Sequence, residues 1–191
     1  MELQYTHQAV PFSFNEYVSP DDTNIQAKGD KMIVMRYVAL LRGIMPANPN
    51  MRSEKLKGFF EDCRFKNVHT VIASGNVIFD SPSVDVTSLE TKIEKSLPKK
   101  LQFESTVFVR SQDELQKLVR KDPFRGVKDE KPNYLVVTFK KNPRKEVCTV
   151  IDLNKNSGTE MMRIFEKEHG KNITTRTWKT VHRILKKMES V

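Results

Sequence analysis

Three short stretches carry an arginine, hydroxyl or amide side chains, or both, at places that read as the ends of elements. Arg42-Gly43 follows an apolar run, Ser74-Gly75-Asn76 separates two more, and Thr174-Thr175-Arg176-Thr177-Trp178 precedes the last helical pattern. A guanidinium presents planar donors that match the oxygens of phosphate or carboxylate. The free N–H groups at a helix start suit the same oxygens, and a Thr-rich opening with an arginine has that character. Arg42, Ser74, Asn76, Arg176 and Trp178 are therefore the candidate ligand-binding residues. Their ligand would be an anion, either nucleic acid or a phosphorylated small molecule. Each residue also has a plain structural use. Thr caps helices, Asn serves turns, and Arg42 can simply pair with a carboxylate.

Signatures of catalysis are missing. The sequence has no P-loop, no Gly-x-Gly-x-x-Gly, no His-Glu-x-x-His and no serine nucleophile elbow. His7, His69, His169 and His182 are scattered, and none stands at ligand spacing from another, so neither a metal nor a cofactor is expected. His182, one turn past Trp178, is the nearest thing to a general base, and the catalytic residues stay unassigned. Cys63 and Cys148 are too few for a disulfide framework. Both lie in what read as apolar helical patterns, where a free thiol behaves as a small hydrophobe.

Charge points the same way as the arginines. The 191-residue chain has a net charge of +9, with 38% hydrophobic and 30% charged residues. That balance is globular. Residues 1–31 hold two Lys against five acids, or −3, which leaves +12 on the rest. A basic body favours anionic partners, although lysine-rich surfaces are common without one. No apolar run approaches the roughly 20 residues that span a bilayer, and the start lacks a secretory pattern. A cytoplasmic protein without a membrane partner is expected.

These residues need elements to position them. Residues 1–31 have no sustained period and read as a poorly ordered extension. The run 32–41 is apolar except for Arg36 and predicts a strand buried on both faces. Leu56, Phe59, Phe60 and Cys63 predict a helix capped by Ser53. Strands at 68–72 and 77–80 flank the hairpin. A helix with Thr87 and Glu90 as its capping box is stopped by Pro98, and 102–109 is a fourth strand. The resulting β-α-β-β-α-β order over 32–110 is the ferredoxin-like unit of an α+β fold. Two helices cover one face of such a sheet, so the second half, 111–191, should cover the other. There Ser111 and Glu114 cap a helix ended by Asp122-Pro123, and 133–139 is the one clear strand. Asn142-Pro143 opens a short helix, Ser157 caps another ending at Gly170, and Trp178, Val181, Ile184, Leu185 and Met188 line the last.

The landmarks together resemble a known family, the uncharacterised DUF family 1697. Tyr37-Val-Ala-Leu-Leu-Arg-Gly-Ile44 is similar to its opening motif, and Ser74-Gly75-Asn76-Val77-Ile78-Phe79 to its hairpin. Val109-Arg110-Ser111, Asp122-Pro123-Phe124 and Thr175 to Val181 match further landmarks in order, from about residue 33 to 188. The resemblance implies two ferredoxin-like halves packed together and no established activity. Three departures stand out. Met45-Pro46-Ala47 replaces a Gly-Gly loop, and Thr177 replaces an Asn. The eight residues 152–159 stand where the family carries a strand pair, so the second half should be reduced. Three functions fit: an anion-binding protein, an enzyme with a cleft between the halves, or an interaction module. The oligomeric state is not legible.

Overall fold

The apolar run that predicts a strand buried on both faces is β1, Met35–Leu41, and its last five residues are all buried. In the structure, a computed structural model describing residues 34–155 and 158–191, β1 lies inside an antiparallel sheet of order β2-β3-β1-β4. Its partners are β2 (Lys66–Thr70), β3 (Asn76–Ser81) and β4 (Val107–Ser111), with α1 (Ser53–Asp62) and α2 (Val86–Leu101) between them in the chain. The expected extension at 1–31 and the expected Ser157 cap lie outside the described residues.

Alternation along the strands makes two cores. Tyr37, Ala39, Leu41, Val77 and Phe79 pack under α1 and α2 with Leu56, Phe60, Ile93 and Leu97. The Phe65 and Phe79 rings lie 4.4 Å apart there. Val38, Leu40, Ile78 and Phe108 face the other way and meet Leu115, Phe139, Trp178, Val181 and Ile184 from the second half. The second half thus covers the free face, as the sequence requires.

Several boundaries differ from expectation. Ser53 is the first helical residue and not the cap; the cap is Arg52, which makes no side-chain cap bond. Asp85, not Thr87, caps α2 by accepting from the N–H groups of Thr87 and Ser88. Pro98 does not stop α2. The helix continues to Leu101 and ends at Gln102, whose φ is 59°. A proline this close to the end removes only one intrahelical bond, and Leu101 extends the buried stripe of Leu97 and Ile93. β4 accordingly starts five residues later than the expected 102.

The second half holds more sheet than its sequence suggests. Helix α3 (Gln112–Lys121) begins at the expected Ser111–Glu114 capping box and ends at Asp122. Then come β5 (Asn133–Lys140), β6 (Lys145–Asp152), α4 (Gly158–His169), β7 (Ile173–Thr177) and α5 (Trp178–Ser190). The strands form a second antiparallel sheet of order β6-β5-β7, so three strands replace the one expected. Asn142-Pro143 opens no helix; it lies in the turn of the β5–β6 hairpin, where Lys140 pairs with Lys145. Cys148 is therefore on a strand, buried, with burial pushing its thiol up to about 12. Thr174 to Thr177 do not open the last helix either. They form β7, and Thr177 caps α5 by accepting from the Thr180 N–H. Helix α4 closes the outer face of this sheet through Met161 and Phe165, against Val136, Ile151 and Ile173.

The edge of β4 shows how the halves are joined. Three carboxylates accept from its outward N–H groups: Glu94 from Val107 (2.8 Å), Glu90 from Val109 (2.8 Å) and Glu114 from Ser111 (2.7 Å). The β5–β6 turn brings cations onto the same carboxylates. Lys141 lies 2.7 Å from Glu94, and Arg144 binds Glu114 through both oxygens at 2.9 and 2.8 Å. The fully buried Arg110 donates to Glu146 (2.6 Å) and the Lys140 carbonyl (2.8 Å). An edge so occupied cannot accept another strand.

Burial pushes the Glu114 carboxyl up, but Arg144, the Ser111 N–H and Arg110 more than offset that and hold it below its ordinary value. A lowered folded value means the stabilisation is present above the unfolded value and lost as pH falls through the folded one. Glu114→Gln keeps an acceptor for the Ser111 N–H and removes the charge. It should lower stability by about 1 kcal/mol at pH 7 in urea unfolding. The gap to wild type should narrow as pH falls out of the ordinary carboxylate range and close as it passes through the lowered folded value. A gap that is constant with pH would refute the ionic role.

Candidate functional site

Arg176 sits in β7 opposite Val137 of the central strand β5, and its side chain leaves its own sheet for the first one. Nε donates to the Asn76 side-chain oxygen at 2.5 Å, and Nη2 donates to the carbonyls of Leu41 (2.9 Å) and Ser74 (3.2 Å). Nη1 donates to the Thr174 hydroxyl (2.9 Å) and the Thr175 carbonyl (2.8 Å). A guanidinium has five N–H donors, and all of them are engaged by the protein. Every acceptor is a neutral oxygen. Burial therefore acts without a counter-charge and lowers the Arg176 guanidinium to about 10, still cationic at neutral pH.

The acceptors are held in place by the β2–β3 connection. Asn76 is buried, and its amide donates to the Val71 carbonyl and the Ser74 hydroxyl, both at 2.9 Å. That fixes its oxygen toward Arg176. The Leu41 N–H donates to the Gly75 carbonyl at 2.8 Å. Gly75 has φ +74°, and a Cβ there would stand 2.4 Å from Ile44 Cγ1, so no side chain fits. Ile72 in the same loop has φ 57°, a conformation that β-branched residues avoid. The ends of β1, the hairpin and β7 thus converge on one guanidinium.

The other two candidate residues lie outside that convergence. Arg42 is half-buried and donates to Glu166 of α4 and to the Lys171 carbonyl. This is the carboxylate pairing that its sequence position also allowed. Trp178 points into the shared core, with its ring centroid 5.2 Å from Phe124 and 4.6 Å from the exposed His182. So Ser74, Asn76 and Arg176 meet, Arg42 adjoins them through Leu41, and Trp178 packs elsewhere. A further pair, partly buried Arg36 with buried Asp80, carries no motif in the sequence. Arg36 binds Asp80 at 2.8 and 3.0 Å and donates to the Met188 carbonyl at 2.8 Å. Its signal was a charge inside an apolar strand, which obliges the neighbouring strand to supply a carboxylate.

Two concavities formed by described residues lie outside that convergence. A polar cleft of about 640 Å³ runs between the halves beside Arg42, lined by Glu94, Ser105, Thr106, Lys141 and Asn172. A groove of about 460 Å³ separates α3 from α5, with Val119 and Leu185 along its floor and Arg120, His182 and Lys186 on its rims. The outward side of α5 adds Lys179 and Arg183. Among the described residues, no three His, Cys, Asp or Glu side chains cluster as metal ligands, and no helix is long and apolar enough to cross a membrane.

Comparison with known proteins adds a family and a fold. A family model described as a protein of unknown function, DUF1697, matches residues 34–169. That is the family to which the motifs point; the closing motif around Arg176 falls beyond the matched span. None of the curated proteins matches the sequence. Among solved structures, a conserved bacterial protein from Streptococcus pneumoniae is similar at a TM-score of 0.65 and 16% identity, over 82% of this chain and 99% of that one. At that identity the likeness concerns the fold alone.

Removing the guanidinium would leave Asn76, Leu41 and Ser74 oxygens buried without donors. Lysine cannot replace its planar fork. Arg176→Lys should therefore cost about 3 kcal/mol in chemical unfolding. Paired with Asn76→Ala, it should show a coupling of at least about 1 kcal/mol in a double-mutant cycle. Additive effects of the two changes would mean that the contact is not the clamp described here.

Proposed function

The chain belongs to the DUF1697 family, and from that premise we propose that it binds an extended polyanion, nucleic acid in the first instance, across the basic face of α3 and α5. The observation that carries this reading is the pair Arg183 and Lys186. Both are exposed on α5 and neither has a carboxylate partner among the described residues. Lys179, which also contacts Asp129, recurs with Arg183 and Lys186 at helical spacing on one side of α5, and Arg120 lines the groove together with Lys186. Such a stripe neutralises phosphates along a strand and releases their counterions.

A compact phosphate would instead call for several donors aimed at one point. The donors around Arg176 are engaged by protein oxygens, so Ser74, Asn76 and Arg176 would contribute to binding by shaping the seam, and Arg42 by its place at the cleft. Base stacking on the sheet has no part in this reading, because Tyr37 and Phe79 lie under α1 and α2. We also read the first sheet as ferredoxin-like. Its β-α-β-β-α-β chain order and its strand order β2-β3-β1-β4 support that, with the three-stranded second sheet as a reduced counterpart.

Fluorescence anisotropy with a labelled 12-nucleotide single strand and a 12-base-pair duplex tests the binding. Affinity for at least one should fall tenfold or more between about 50 and 200 mM salt. Arg183→Gln with Lys186→Gln, both at exposed sites, should flatten the log–log salt slope by about 2. No binding of either probe at about 50 mM salt would refute the proposal.

A further inference from the structure

We infer that the acidic N-terminal segment, residues 1–33, docks along the groove between α3 and α5 and competes there with polyanions; the competition, though not the docking, rests on the function proposed above. Charge is the first ground. Residues 1–33 carry Glu2, Glu16, Asp21, Asp22 and Asp30 against Lys28 and Lys31, or −3, and the rest of the chain carries +12. The segment and the body attract each other within one molecule, where the local concentration is set by the tether.

The place where the segment joins the body is the second ground. It meets the described residues at Val34, which is 53% exposed, one residue before β1. Both helices that frame the groove end or begin beside that point. Tyr37 of β1 pairs with Ser111, the residue before α3. Arg36 donates to the carbonyl of Met188, in the last turn of α5. The two helices are tied at this same mouth, where Gln116 donates to Glu189 at 3.0 Å. From Glu189 the groove runs back along α5 toward His182, a span of about 10 Å at the helical rise per residue.

Length and chemistry agree with this path. An extended chain covers about 3.3 Å per residue, so three or four residues reach the far rim. Met32 and Ile33 directly precede Val34 in the sequence, and their apolar side chains would suit the floor of Val119 and Leu185. Asp30 follows at a reach that brings it to Arg120, His182 and Lys186. Asp21 and Asp22 have ample chain to reach Arg183 and Lys179 beyond. The groove that the segment would follow holds Lys186, which has no carboxylate partner among the described residues, and Arg183 stands beyond its rim.

The test uses the full-length chain. A zero-length carbodiimide treatment at about 50 mM salt, followed by peptide mass mapping, should join Asp21, Asp22 or Asp30 to Lys179, Lys186 or Lys187. These joints should weaken when a 12-nucleotide strand is added. A full-length variant, E16Q/D21N/D22N/D30N, should lose them and bind the oligonucleotide at least about threefold more tightly. Joints that go mainly to lysines of α1 and α2, or that link two molecules in a mixture of isotope-labelled and unlabelled chain, would overturn the docking. Unchanged affinity of the variant would overturn the competition. If wild type binds no oligonucleotide at all, the polyanion reading fails, and the map of joints still decides whether the segment docks.

Discussion

The fold turns on one largely enclosed guanidinium whose donors are all taken by neutral oxygens and not by a carboxylate. Arg176 leaves the second sheet and ends among the backbone oxygens of the first. Such a charge is costly to bury, and only the full occupation of its donors by oriented dipoles compensates. That requirement propagates outward. Asn76 must be an amide, because it accepts from Arg176 while donating to Val71 and Ser74. Gly75 must lack a side chain, since Ile44 fills the space. Ile72, in the same loop, is held at a φ of 57° that β-branched residues avoid. A hairpin that looks like an ordinary connection is shaped by a residue 100 positions away in sequence.

The second joint uses the opposite arrangement. Along β4 the charges come in pairs, with Glu90, Glu94 and Glu114 satisfying the strand and Lys141 and Arg144 satisfying them. One joint is a cation held by neutral groups, and the other is a compensated network. Between them lies a core to which both halves contribute, so each half covers the face that the other sheet leaves open. Neither sheet then offers an open face for a ligand. What remains accessible is the helical exterior and the polar cleft at the seam.

The sequence disclosed whatever depends on local signals. β1 was legible because a continuous apolar run with one charge has few other uses, and α3 because Ser111 and Glu114 are a complete capping box. β6 was not. Its charged start and the preceding Asn142-Pro143 imitate a helix opening, while its β-branched residues, Val147, Thr149, Val150 and Ile151, carried the true signal. β7 was hidden for a related reason. Thr is both a capping residue and a strand former, and only pairing with β5 decides between them. The convergence of Ser74, Asn76 and Arg176 was legible as a set of motifs. That its purpose is to join two sheets was not, because satisfaction of donors is a property of three-dimensional neighbours.

A distinction follows between the residues that identify this chain and those that face solvent with charge. Arg36, Arg110, Arg144, Lys141 and Arg176 are all occupied inside the body or along its seam. These cations are explained by folding, and they leave the excess of positive charge unexplained. That excess must sit on cations that folding does not use, and Arg183 and Lys186 are of this kind. Helix α5 separates the two roles along a single element. Trp178, Val181, Ile184 and Leu185 close the shared core on one side. Arg183 and Lys186 stand exposed on the other, without a carboxylate partner among the described residues. Charges left without a carboxylate partner among the described residues are available to attract an anion from outside, or the acidic end of their own chain.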